Sequence, residues 1–187
     1  MSNVSQRATL DDLMGTEGKA ELIGGRIVQF MASGEHPGTV AFNIAVSLRS
    51  FGSQTRLGRA YADGVGFAIP ELPSGRESFS PDAAFHSGPR SANLMRFIQG
   101  PPTFAVEVRS ENDYTASAEV EIAAKRADYF AAGTLVVWDV DPIAETIDRY
   151  RASDPSNPVR FQRGQSADAE PAVPGWRISV DEVFDEV

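Results

Sequence analysis

Thr103-Phe104-Ala105-Val106-Glu107-Val108-Arg109 is the stretch on which the reading of this chain turns. Phe104, Val106 and Val108 alternate with Ala105, Glu107 and Arg109, the two-residue period of a strand. The apolar flanks predict a central strand, where an unpaired carboxylate is costly; an edge glutamate facing water is the plainer alternative for Glu107. Working back, Phe79-Ser80-Pro81-Asp82-Ala83-Ala84-Phe85-His86 reads as a neighbouring strand opened by Pro81. Its period puts Asp82, Ala84 and His86 on one face, although an Asp after Pro also suits a turn cap. Two converging carboxylates are the minimum for holding a hard cation such as Mg²⁺, or Mn²⁺, through oxygen. A cation so held can clamp a phosphodiester and activate a water. Small residues beside the acids, Ala84 and Ala105, leave room for both. His86 is the weaker candidate, an auxiliary ligand two residues beyond Ala84.

Outward from this pair the elements follow from periodicity and punctuation. Residues 115–132 form the strongest helix, ended by Gly133 in the position that favours a left-handed cap. Val120, Ala123, Ala124, Ala127 and Ala131 make one apolar stripe; Ala118, Ile122 and Tyr129 make a second on the opposite side. Lys125 falls in that second stripe, about 60° from Ile122 and about 40° from Tyr129 by helix geometry. An ammonium within a partly apolar surface calls for a buried partner; the bland alternative is an exposed pair with Glu121. Residues 135–140 read as a strand buried on both faces, turned by Asp141-Pro142, with Thr146–Arg151 returning as an outer strand.

Upstream, β-type runs on either side of Gly24-Gly25 predict a hairpin, and a second hairpin is expected around Asp63-Gly64. Val40, Ile44, Leu48 and Phe51 predict a helix stopped by Gly52. Residues 87–102 read as a long polar loop with a short Leu94–Ile98 turn, the SDPSNP and SADAEPAVPG stretches as loops, and Val180–Phe184 as a closing amphipathic piece. His36 reads as a helix-start residue, and Phe130 and Trp138, like Tyr129, as core. Residues 1–18 read as a loosely ordered N-terminal arm around a capping-box start, Thr9 followed by Asp12. The expected fold is one α/β domain over residues 1–187, α+β in strict usage, with a central mixed sheet flanked by helices.

At 187 residues, 42% apolar and 23% charged, the chain has enough length for one sizeable core. No apolar run is long enough to predict a membrane span, and the first residues lack a secretory core, so a cytoplasmic protein is expected. Without cysteine, any metal must be held by carboxylates, His or carbonyls. The net charge of −9 weighs against a protein that coats nucleic acid without a metal. A local arginine set, Arg90, Arg96, Arg109 and Arg126, could still meet a phosphate backbone. No GxSxG elbow, HExxH pair or phosphate-cradling glycine loop competes with the acid pair.

With those pieces placed, the sequence resembles the Uma family of restriction-endonuclease-like proteins, which carry the PD-(D/E)xK nuclease core. The resemblance rests on Glu21-Leu22-Ile23-Gly24-Gly25, His36, Pro81-Asp82 and Glu107-Val108-Arg109-Ser110. It continues through Lys125 with Tyr129, Val137-Trp138-Asp139-Val140-Asp141-Pro142 and the closing Val180–Phe184. It implies an endonuclease acting on nucleic acid, DNA before RNA, with Asp82 and Glu107 as metal ligands and Glu21 as an additional acidic ligand. It also implies that Lys125 supplies the lysine these nucleases usually carry two residues after the glutamate. Arg109 stands at that nominal position and cannot act as a base; a phosphate contact and a salt bridge to a neighbouring acid are both open to it. Family members often carry Asp where this chain has Gly24. Nucleases often pair to cut both strands, so a homodimer is allowed. The competing reading is a catalytically inactive nuclease-like fold serving as an interaction or regulatory module. A hydrolase of a small phosphorylated molecule would use the same residues.

Overall fold

The computed structural model describes residues 7–185. A six-stranded mixed sheet carries the chain in the order β11-β10-β9-β8-β6-β3. From the centre these are β8 (Phe104–Val108), β9 (Val136–Asp141), β10 (Thr146–Arg151) and β11 (Asp154–Gln162) on one side. On the other side of β8 lie β6 (Ala83–His86) and then β3 (Arg59–Ala62). Within this sheet only β8 and β9 run parallel, as expected for strands joined by a crossover helix. That helix is α3, Ala116–Ala132, capped by the Thr115 hydroxyl at its start and by Gly133 at φ 109° at its end. The architecture is the expected α+β one.

The alternation read in β8 separates two cores. Phe104, Val106 and Val108 join Trp138, Ile147 and Trp176 under α2 (Glu35–Thr55), whose Val40, Ile44 and Leu48 are fully buried. Ala105 joins Ala84, Val137 and Tyr129 on the α3 side, where Phe67, Phe79 and Ile98 of a three-stranded sheet complete the packing. That sheet has the order β5 (Ser78–Phe79), β4 (Phe67–Ala68), β7 (Ile98–Gln99).

Several expectations are altered. The Gly24-Gly25 hairpin forms between β1 (Ala20–Ile23) and β2 (Arg26–Gln29), both glycines at positive φ as a tight hairpin turn requires. The hairpin around Asp63-Gly64 does not form. Gly64 makes a turn at φ 85°, but β3 pairs with β6 while β4 pairs with β5 and β7, so the turn passes the chain between sheets. The run 79–86 is likewise divided at Pro81-Asp82 between two sheets.

The second long helix, α2, does not stop at Gly52 but continues to Thr55. Gly52 serves packing instead: a Cβ there would stand 3.0 Å from the Gly58 carbonyl oxygen and 3.1 Å from the Phe85 ring. Strand β10 is not outermost, because the SDPSNP stretch enters β11. Pro155 and Pro158 are tolerated there because an edge strand leaves backbone positions free of the ladder. The loop expected further on contributes β12 (Ser166–Asp168), which pairs with β13 (Arg177–Ser179).

The N-terminal arm is not loose over its described part. Thr9 and Asp12 form the capping box of α1 (Leu10–Met14), and Leu13 is 3% exposed against Ala20 and Leu22. Residues 1–6 of that expectation lie outside the described residues. Among the described residues, no helix is long and apolar enough to cross a membrane.

Candidate active site

The register of β6 and β8 decides where the two acids stand. Ala83 pairs with Val106 and Ala84 with Ala105, so the ladder carried one step further sets Asp82 opposite Glu107. The Asp82 amide continues that ladder by donating to the Val106 carbonyl at 3.0 Å. Ala84 and Ala105 both face α3, and the two-residue period puts both acids on that face. Directly opposed residues of this kind have Cβ atoms about 5 Å apart.

Each acid is held by groups from separate elements. Asp82 Oδ2 accepts from the Val108 amide at 2.7 Å, and Oδ1 accepts from the Lys19 ammonium. Glu107 Oε2 accepts from Lys125 Nζ at 2.8 Å, and Oε1 from the Tyr129 hydroxyl at 2.6 Å. Glu21, on β1 and fully buried, accepts from the Ser80 amide at 2.9 Å. It is also paired with the Arg76 guanidinium and with Lys125 Nζ at 3.1 Å. Lys125 therefore bridges Glu21 and Glu107, and its helical stripe faces the sheet: Tyr129 is fully buried and Ala118, Ile122 and Lys125 half-buried. The Val120-Ala123-Ala124-Ala127-Ala131 stripe faces water.

Protonation follows from burial and these partners. Burial holds Glu107 above the usual carboxylate range; Lys125 pulls against it, and Asp82 adds repulsion. Burial also works to raise Glu21, but Lys125 and Arg76 with the Ser80 amide bring it below the ordinary value. Lys125 is disfavoured as a cation by burial, yet Glu107 and Glu21 raise it above an ordinary lysine. Burial and the adjoining carboxylates keep Tyr129 a phenol.

The sequence reading brought Asp82, Glu107, Lys125 and Glu21 together, and the structure gathers all four. It missed two cations. Lys19 lies between Asp82 and Asp63 Oδ1, 2.8 Å from the latter; the period of β1 puts Lys19 on the face of Glu21, a signal that was available. Arg76, from a loop, joins Glu21 to Asp128 at 2.8 Å and had no sequence signal. Tyr129 is core, stacked on Phe79 at 4.0 Å, and also a donor to the site.

Of the two roles open to Arg109, the structure realises the salt bridge. Its Nε and Nη2 donate to the two oxygens of buried Asp139 at 2.8 and 2.9 Å, and it also pairs with Glu119. Arg96 pairs with Asp11 and Arg126 with Asp139, so three of the four arginines expected to meet phosphate are spent on carboxylates. His86 stands at the far end of β6, with Nδ1 3.1 Å from the Pro101 carbonyl oxygen. His36 Nε2 lies 3.3 Å from the Pro142 carbonyl oxygen, tying α2 to the β9–β10 turn.

Among the described residues, no three His, Asp or Glu side chains are gathered as a ready-made metal cage. The hard oxygens of the opposed Asp82 and Glu107 still suit a divalent cation in kind. Glu21 differs from them, since its oxygens face Arg76, Lys125 and the Ser80 amide.

The site is thus two acids opposed across a mixed sheet beneath a helix-borne ammonium. The chain belongs to the Uma2 family: the family model described as "Uma2: Putative restriction endonuclease" matches residues 6–181. A crystal structure of "a putative nuclease belonging to DUF820" from Anabaena variabilis ATCC 29413 is similar to it with a TM-score of 0.71. The match covers 94% of this chain and 97% of that one at 20% identity, a likeness of fold. No curated protein matches.

Proposed function

We propose that the chain is a Mg²⁺- or Mn²⁺-dependent endonuclease that hydrolyses phosphodiester bonds of DNA. The observation that carries the reading is the cross-strand opposition of Asp82 and Glu107 with the Lys125 ammonium bridging Glu107 to Glu21. Asp82 and Glu107 would hold the ion, with the Val108 carbonyl as a further oxygen. When bound, it supplies the Lewis acidity that lowers the pKa of a water and offsets phosphate charge.

The chain's own groups do the rest. The Val108 amide fixes the Asp82 carboxylate, and Tyr129 fixes that of Glu107. Lys125 stays protonated, so it acts as a donor and positive charge that orients a nucleophile or phosphate oxygen, and it takes no proton. Glu21 anchors Lys125 from behind in place of the ligand role expected of it.

The competing module reading is favoured by one observation: Lys19 and Lys125 already neutralise both acids. Cleavage of a supercoiled plasmid with and without Mg²⁺, beside calorimetric titration with Mn²⁺, separates the two. The nuclease reading expects cleavage and micromolar-to-millimolar binding, both lost in Asp82→Ala with the circular dichroism spectrum retained. Plasmid cleavage equal to wild type in Asp82→Ala refutes it, and absence of both cleavage and binding in the native protein favours the module.

A further inference from the structure

An acidic protein that acts on a polyanion needs an unneutralised basic surface, and three of the four arginines expected to provide one are tied to carboxylates. The geometry points to a different place: a cavity at the end of α2 that seats phosphates of the substrate strand. The assignment rests on the nuclease reading above. The cavity has a volume of about 370 Å³ and is lined by Arg49, Gly52, Ser53, Arg56, Gly58 and Arg59. No acidic side chain lines it.

Arg49 and Ser53 lie one turn apart on α2, and both line the cavity with Arg56, the residue that follows the helix. Arg56 closes the helix in a left-handed conformation, and Gly58 lets the chain turn at once into β3. A Cβ at Gly58 would lie 2.4 Å from the Phe85 ring and 2.7 Å from the His86 carbonyl oxygen. This tight link brings Arg59 back beside Arg56. Arg59 is braced by donating to the Gly88 carbonyl and, at 3.1 Å, to the Tyr61 hydroxyl.

Among the described residues, Arg49 and Arg56 make no ion pair, although carboxylates are in excess in a chain of net charge −9. Three guanidiniums outweigh the roughly half negative charge of a helix C-terminus.

The cavity adjoins β3, the edge strand of the main sheet, whose other end reaches the acids. Arg59 pairs with His86 and Ala62 with Ala83, so Asp82 lies four residues from the arginine end of the ladder. At about 3.4 Å per residue that is about 14 Å. Arg59 shares the acid face through its pairing with His86, whereas Arg49 and Arg56 belong to α2 on the opposite face. Backbone held in the cavity therefore rounds the β3 edge of the sheet before it reaches Asp82 and Glu107.

The test uses the full chain in an Asp82→Ala background, so that the probe stays intact. Anisotropy of a labelled DNA duplex is followed against salt, with and without Arg49→Ala and Arg56→Ala. Each phosphate contact removed lowers the slope of log K against log salt by about 0.9, so the expected drop is about 1.8, with at least a tenfold loss of affinity at low salt. An unchanged slope overturns the cavity assignment, as does a background protein that binds no duplex. The same preparations are assayed for cleavage. Retained cleavage in Asp82→Ala sinks the nuclease reading, whereas lost cleavage with an unchanged slope sinks the cavity alone.

Discussion

Replacing Lys125 by Met keeps the length and apolar stem of the side chain and removes only its charge. Lys125 Nζ lies 2.8 Å from Glu107 and 3.1 Å from Glu21, with its side chain 18% exposed. Removing one partner of a buried ion pair costs about 3–5 kcal/mol. Two features reduce that figure: Glu21 keeps Arg76 and the Ser80 amide, and Glu107 keeps the Tyr129 hydroxyl. A loss of about 2–3 kcal/mol near pH 8 is expected.

The sign with pH follows from Glu107. Its carboxyl in the folded protein sits above the unfolded value because of burial, so stability falls as pH rises from the unfolded pKa through the folded one. Without Lys125 the folded value climbs further, and protonation relieves the variant at lower pH. The deficit of Lys125→Met should therefore shrink by at least half between pH 8 and pH 5. Urea unfolding followed by the fluorescence of Trp138 and Trp176, both buried, measures it at each pH. A deficit equal at both, or larger at pH 5, would refute the account of Glu107 as the group left without its cation.

Two further outcomes follow. Lys19→Met frees Asp82 Oδ1 from its ammonium, so Mn²⁺ should bind severalfold more tightly by calorimetry; weaker binding would show that Lys19 supports the ion site rather than competing with it. Arg109→Ala strips the bidentate partner from Asp139, which is 6% exposed, and should cost about 1.5–3 kcal/mol by urea unfolding. Its duplex affinity should stay within twofold of wild type, because the guanidinium is already committed to Asp139 and Glu119.

The strand alternation around Glu107 was legible because a two-residue period admits one assignment of faces once Phe104, Val106 and Val108 are apolar. The end of α3 was legible because Gly133 has the conformational freedom its left-handed cap needs. Pairing partners were not. Asp63-Gly64 has the composition of a hairpin turn, and only the competing ladder of β6 shows that β3 leaves its sequence neighbour. Gly52 carries the residue type of a helix stop, but that signal could not reveal Phe85 and Gly58 pressing on the same atom. Lys19 could have been found from the period of β1. Arg76 could not, since nothing in a loop fixes the direction of its side chain.

The α3 helix shows why periodicity misleads at a site. Its more apolar stripe, Val120 to Ala131, lies in water, while the stripe holding Lys125 lies against the sheet. The observed rotation forgoes burial of Val120 and a few alanines, each alanine worth less than about 1 kcal/mol, and buries Tyr129 instead. Buried Glu107 favours the observed rotation, because leaving its carboxylate without a cation would cost several kcal/mol. Arg109 reinforces the choice: reaching Asp139 and Glu119, it ties the first turn of α3 to β9 and fixes the helix rotation. The residue two positions after Glu107 thus braces the helix that carries Lys125. Arg109 and Lys125 form one device, and on the proposed nuclease reading the absence of a lysine two residues after Glu107 does not argue against chemistry at this site.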